Sequence, residues 1–208
     1  MKVLIADDHN VVREGLKHIL ERHYGAVVFG EARDGTEALE AIWKEGWDIV
    51  LLDIHMPGRD GIEILREVKK ERPKVPVLMM SGSSEEEYAV RALRDGASGY
   101  IGKNAPPEEF LQAVGEALAG RCYLTPAVAQ RLAREVAAPD NQPAHEKLSD
   151  REYQVMKMLA VGKTVKEVAS ELSLSVKTVS TYRTRILEKL GLASNVEIAR
   201  FAIKAGLA

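Results

Sequence analysis

Over residues 1–120, short apolar runs alternate with longer stretches in which apolar residues return every three or four positions. The runs Val3–Ala6, Val27–Gly30, Ile49–Leu52, Val75–Met80 and Gly99–Gly102 have strand length and are bounded by Asp, Gly, Pro or Ser. The intervening stretches carry Leu16, Ile19 and Leu20, then Ala38, Leu39 and Ile42, then Ile64, Leu65 and Val68, at the spacing of one helix face. Val90 and Leu93 mark a fourth such stretch, and Phe110, Ala113, Val114, Ala117 and Leu118 a fifth. Asp34 with Glu37, Asp60 with Glu63 and Ser84 with Glu87 have capping-box spacing, which places helix starts beside them. Near-continuous apolar strands separated by amphipathic helices predict a parallel sheet buried on both faces.

The pattern then changes. Residues 121–137 have helical spacing, and Ala138-Pro139-Asp140-Asn141-Gln142-Pro143-Ala144-His145 is polar and twice interrupted by proline. Such a segment predicts a flexible boundary. Everything beyond it reads as helix. Ser149 with Glu152 and Thr164 with Glu167 form further capping boxes, and Ser175 is a good N-cap for a helix reaching Leu190. On that last helix Val179, Ile186 and Leu190, with Val176 beside them, form an inward face. Lys177, Thr181, Thr184 and Glu188 lie opposite, flanked by Ser180 and Arg185, while Arg183 lies nearer the core side. A short helix, a tight turn and a longer helix fit a helix-turn-helix, whose second helix would enter the DNA major groove. They also fit a plain helical hairpin with a solvated outer face. The expected division is a first domain at 1–120, a linker with a short helix at 121–146, and a second domain at 147–208.

Charge separates the same regions. Residues 147–208 hold 11 Lys+Arg against 6 Asp+Glu, a balance of +5. Of the chain's 29 and 31, that leaves 18 against 25 for residues 1–146, a balance of −7. A basic second module behind an acidic first one suits nucleic-acid binding by the second alone. Cys122 is the single cysteine, so no internal disulfide forms. The apolar run at the N-terminus gives way to Asp7-Asp8 too soon for a signal peptide or membrane span. These features lead us to expect a cytoplasmic protein with no membrane partner.

In an open parallel sheet, ligands bind outside the carboxyl ends of the strands. Those ends carry Asp7 and Asp8 after the first strand, Asp53 after the third, Ser81 after the fourth and Lys103 after the fifth. Three converging carboxylates repel one another unless a hard cation lies among them, and oxygen-only ligands suit Mg²⁺. Asp53 then reads as a nucleophile toward a phosphoryl group, with the cation, Ser81 and Lys103 neutralising the phosphoryl oxygens. Asp34 and Asp60 are assigned to capping.

The stretches Asp7-Asp8, Asp53-Ile54-His55-Met56-Pro57-Gly58-Arg59-Asp60-Gly61, Ser81-Gly82 and Gly99-Tyr100-Ile101-Gly102-Lys103 resemble the receiver domain of two-component response regulators. Leu148-Ser149-Asp150-Arg151-Glu152, Gly162, Lys166-Glu167-Val168-Ala169, Thr178-Val179 and Lys189-Leu190-Gly191 resemble the LuxR-type helix-turn-helix domain. Together they resemble a NarL/FixJ-type transcription factor. The resemblance implies a flavodoxin-like five-stranded sheet in the order 2-1-3-4-5, linked to a four-helix DNA-binding domain. It implies that Asp53 accepts a phosphoryl group from a histidine of a sensor kinase. Asp7, Asp8, Asp53 and the backbone carbonyl of His55 would hold Mg²⁺, Ser81 and Lys103 would contact the phosphoryl group, and Tyr100 would be the aromatic switch.

For DNA, the expected base contacts are Ser180, Thr181 and Thr184, with Thr178 part of the same binding surface. Lys166, Lys177, Arg185 and Lys189 are the expected phosphate contacts. The resemblance further implies a homodimer on activation, binding promoter DNA and acting with RNA polymerase. It implies no enzyme beyond the chain's own phosphorylation and dephosphorylation. The final helix, carrying Val196, Ala199, Ala202 and Ile203, would either dimerise or pack within its own domain. Asn104 in place of the proline common after the receiver lysine leaves a cis peptide there unassumed, and Tyr182 stands where a histidine is common. Two rivals follow from the residues: an aspartate-dependent phosphotransferase, which usually carries a second acid where this chain has His55, and a receiver-controlled protein-interaction module.

Overall fold

Five parallel strands lie in the order β2-β1-β3-β4-β5 in the computed structural model, which describes residues 1–82, 86–137 and 144–207. They are β1 Lys2–Ala6, β2 Val28–Ala32, β3 Ile49–Asp53, β4 Val77–Ser81 and β5 Gly99–Gly102. The helices between and after them are α1 Asn10–Tyr24, α2 Gly35–Lys44, α3 Gly61–Glu71, α4 Glu86–Arg94 and α5 Pro107–Leu118. Side chains alternate across the pleat, so each strand feeds two cores. Val3, Ile5, Leu51, Leu78, Met80 and Ile101 meet Leu20 of α1 and Phe110, Ala113, Val114 and Ala117 of α5. Leu4, Val50, Leu52 and Met79, also buried, alternate with them along the strands, and α2 and α3 bury Ala38, Leu39, Ile42, Ile62, Leu65 and Val68.

β2 differs from the expected Val27–Gly30, because its ladder with β1 continues through Glu31 and Ala32. Backbone pairing, and not the end of the apolar run, sets that boundary. The caps at Asp34 and Asp60 form as expected, Asp34 accepting from Thr36 and Glu37 N–H and Asp60 from Ile62 N–H. Ser84, the expected capping partner of Glu87, lies outside the described residues.

The chain divides into two compact units, Met1–Ala137 and Ala138–Ala208. The first therefore takes in the helix expected in the linker. That helix, α6, spans Pro126–Ala137 and packs on α4. The preceding residues do not join it: Tyr123 N–H donates to Ser98 O at 3.0 Å, and Tyr123 makes a parallel bridge to Gly99 on the edge of β5. Tyr123 OH also donates to Glu109 of α5 at 2.9 Å. Residues 138–143, expected to be flexible, lie outside the described residues.

The second unit opens with a 3-10 turn, Ala144–Lys147, followed by α7 Asp150–Ala160, α8 Val165–Glu171, α9 Val176–Leu190 and α10 Asn195–Lys204. α7 is its centre and packs against α8, α9 and α10. Tyr153, Val155, Met156 and Leu159 of α7 are buried with Val168, Val179, Ile186, Ile198 and Ala202. Both capping boxes are present, at Ser149/Glu152 and Thr164/Glu167, and Ser175 caps α9 by accepting from Thr178 N–H. Val176, expected beside the core, is the first residue of α9 and is 46% exposed.

Candidate functional site

Two strand ends, Asp53 of β3 and Ser81 of β4, and two residues that directly follow strands, Asp7 after β1 and Lys103 after β5, build one pocket. Asp7 and Asp53 are buried, with Ser81 buried at the end of β4. The ammonium of Lys103 lies 2.7 Å from Asp7 Oδ2 and 2.8 Å from Asp53 Oδ2. Neither oxygen has an aligned hydrogen-bond donor, so both buried atoms rely on ion pairing. Lys103 is brought there by its backbone, whose N–H donates to Ser81 O at 2.7 Å. Burial pushes the Asp53 carboxyl above its usual range, against the pull of Lys103. Burial alone would lower Lys103, but Asp53 and Asp7 together outweigh it and hold the ammonium above its usual value. A carboxylate that strains against burial beside a firmly charged lysine is ready to share its charge with a further cation or give it up to a covalent bond.

Asp8 and His9 line the solvent side. Asp7 Oδ1 accepts from His9 N–H at 2.8 Å, and His9 Nδ1 lies 2.7 Å from Asp8 Oδ1. One ligand atom each from Asp7, Asp8 and His9 fall within 4.8 Å of one another. Oxygen atoms dominate this donor set, with two buried oxygens lacking aligned donors behind it, which fits a hard divalent cation. The His9 imidazole was not foreseen. Its position directly after the acidic pair was the available signal.

His55 is half-buried on the loop after β3, and its ring meets Tyr88 of α4 edge-on at 5.0 Å. Tyr88, 2% exposed, was also not foreseen. Tyr100 is 4% exposed within β5, so its ring is turned into the unit.

The second candidate surface is on α9. Lys177, Ser180, Thr181, Thr184 and Arg185 are all exposed, as is Lys166 on α8. Thr181 and Thr184 hydroxyls donate back to Lys177 O and Ser180 O at 3.0 and 3.1 Å. Each then presents a methyl and an oxygen lone pair outward. Thr178 is half-buried and its hydroxyl lies 2.8 Å from Ser175 Oγ at the start of α9.

Lys189, an expected phosphate contact, is exposed on α9 and also meets a buried carboxylate. Its ammonium lies 2.6 Å from Oε2 of Glu152, whose side chain is 3% exposed, and ties α9 to α7. Burial would raise the Glu152 carboxyl, but Lys189 and the Ser149 N–H outweigh it and hold it below its usual range. Arg183 Nε donates to Asn195 Oδ1 at 2.5 Å, which turns it from the outer face.

An acidic pocket at the carboxyl edge of a parallel sheet and a separate helical unit with an exposed strip of hydroxyls and cations on α9 share one chain. Residues 3–115 match the response regulator receiver domain, and residues 146–202 match the luxR family of bacterial regulatory proteins. The chain belongs to the two-component response regulators that carry a luxR-type DNA-binding domain. It is 37% identical over 208 residues to the response regulator GacA of Pseudomonas aeruginosa, covering 100% of this chain and 97% of that one. The response regulator UvrY of Escherichia coli is 35% identical, with 100% and 95% covered. Among solved structures, RcsB of Salmonella enterica serovar Typhimurium, bound to promoter rprA in the presence of phosphomimetic BeF3⁻, is similar. It has a TM-score of 0.63 and 26% identity, over 97% of each chain.

Proposed function

We propose that this chain is phosphorylated on Asp53 by a sensor histidine kinase and then binds promoter DNA as a dimer to regulate transcription. The observation that carries the reading is the burial of Asp53 in contact with Lys103, which also reaches Asp7. An Asp53 oxygen attacks phosphorus, the N–P bond of the kinase phosphohistidine breaks, and an acyl phosphate forms as imidazole leaves. Lys103 moves its contact from the Asp53 carboxylate to a phosphoryl oxygen, and Ser81 bonds another. Asp7, Asp8, Asp53 and the His55 carbonyl are the residues that would hold Mg²⁺, which supplies neutralisation of phosphoryl charge when bound. Drawing Ser81 toward the phosphoryl group lets Tyr100 shift, and α4, in ring contact with the His55 loop, shifts with it.

On the output side, Lys166, Lys177 and Arg185 neutralise phosphates while Ser180, Thr181 and Thr184 read base edges. Lys189 is left out, because the buried Glu152 already holds it. No described helix is long and apolar enough to cross a membrane. A regulator of promoters acts where the DNA is, so the cytoplasm is its proposed location.

Selection from a random duplex DNA pool tests the reading, with beryllofluoride-treated wild type beside Asp53→Ala. The expected result is a motif of two half-sites enriched only by the treated wild type. Equal enrichment by both proteins would move control away from Asp53. No enrichment in either would replace the DNA function with protein recognition.

A further inference from the structure

Arg13 is a buried cation, 4% exposed, that belongs to neither the pocket nor the DNA surface. All three faces of its guanidinium are engaged. Nη1 donates to the backbone carbonyl of Asp7 at 2.8 Å, Nε to Glu31 Oε2 of β2 at 2.9 Å, and Nη2 to Asn10 Oδ1 at 2.8 Å. Asp7 N–H in turn donates to Ala32 O at 3.0 Å, so both backbone polar groups of Asp7 are engaged. Burying a guanidinium is unfavourable unless its donors are filled, and here the filling partners surround the turn that carries Asp7, Asp8 and His9. Only a planar fork reaches three acceptors in these directions; a lysine ammonium in the same space does not.

We propose that Arg13 is a positioning residue of the acidic pocket: by holding the Asp7 carbonyl it fixes how the Asp7 and Asp8 carboxylates present to a divalent cation. The inference rests on the pocket being a Mg²⁺ site. Glu31 completes the arrangement by offsetting the Arg13 charge, and it shares its second oxygen with Lys17 at 2.8 Å. Lys17 touches Glu14 and Glu31 and makes no described contact with Asp7, so it is a matched cation outside the grip.

The test is Mg²⁺ binding to the full-length protein by isothermal titration calorimetry, with no phosphodonor present. Wild type is compared with Arg13→Lys, Arg13→Gln and Lys17→Gln. Residues that orient metal ligands from behind change affinity by about 10- to 100-fold, so both Arg13 variants are expected to bind at least about tenfold more weakly. Lys17→Gln is expected to stay within about twofold of wild type or to tighten slightly. The sign of the Arg13 effect is decisive. A cation acting only by charge repels Mg²⁺, so its removal would tighten binding and Arg13→Lys would change nothing. Tighter or unchanged binding in Arg13→Gln, or wild-type affinity in Arg13→Lys, overturns the proposal. Should the Arg13 variants fail to fold, Asn10→Ala removes one acceptor at an exposed, uncharged position. It is expected to weaken Mg²⁺ by a smaller factor, about two- to threefold; unchanged affinity there overturns the proposal too. Wild type that binds no Mg²⁺ would overturn the pocket reading itself and the inference with it.

Discussion

Lys177 and Lys189 share α9, yet their surroundings differ. Lys177 is exposed on the strip with Thr181, Thr184 and Arg185, whereas Lys189 closes an ion pair on the buried carboxylate of Glu152. Neutralising one phosphate contact lowers the slope of log K against log salt by about 0.9. Lys177→Met and Arg185→Met are therefore each expected to reduce the slope by about that much, with the thermal midpoint unchanged. Lys189→Met is expected to leave the slope as it is. It strands Glu152 without its cation and should destabilise the fold by about 1–2 kcal/mol. Fluorescence anisotropy across a salt series, beside thermal unfolding of the same proteins, measures both effects. A slope loss in Lys189→Met equal to that in Lys177→Met would return Lys189 to the DNA surface.

At the level of elements, the pocket depends on how closely α3 approaches the end of β3. Gly61 opens α3, its N–H donating to Ile54 O at 2.9 Å. A Cβ at Gly61 would lie 2.1 Å from the backbone oxygen of Asp53 and 2.8 Å from Ile54 Cα. Backbone atoms cannot rotate aside, so the helix or the Asp53 loop must move. Gly61→Ala is expected to cost about 1–3 kcal/mol of stability, as overpacking does, and to slow phosphoryl uptake from acetyl phosphate. Normal stability with normal uptake would show that α3 tolerates a wider gap. The two ends of the sheet are treated differently by the chain. β2 is an edge strand whose Glu31 joins Arg13 and Lys17, while the β5 edge is covered by Tyr123 and followed by α6 on α4. That covering strap explains why the first unit extends past the last strand and helix that its sequence periodicity marks.

For the whole molecule, two units of opposite charge balance follow one another in a single chain. The proposed function requires the state of Asp53 in the first to change what the second does. Beryllofluoride is therefore expected to convert full-length wild type from monomer to dimer in sedimentation velocity, and to leave Asp53→Ala unchanged. The selected half-sites are then expected about one helical turn apart, or a multiple of it, as two-fold related recognition helices demand. A dimer in both proteins before treatment would place control in DNA contact and not in assembly.

What could be read in advance follows from which interactions are local. Strand and helix periodicity, the caps at Asp34, Asp60, Ser149, Thr164 and Ser175, and the outward strip of α9 are set within a few residues. The sequence alone therefore determined them. Asp7, Asp53, Ser81 and Lys103 were legible too, because a parallel sheet brings all its strand ends to one edge whatever the helices do. Long-range partners were not legible. Arg13 meets Glu31, Lys189 meets Glu152, Tyr88 meets His55 and Tyr123 lies on Gly99 only because packing brings distant segments together. Each could have pointed to solvent with the same local pattern. Periodicity chooses the buried face of an element, but the partner that a charged or aromatic side chain finds depends on where the other elements pack, and tertiary structure alone decided that.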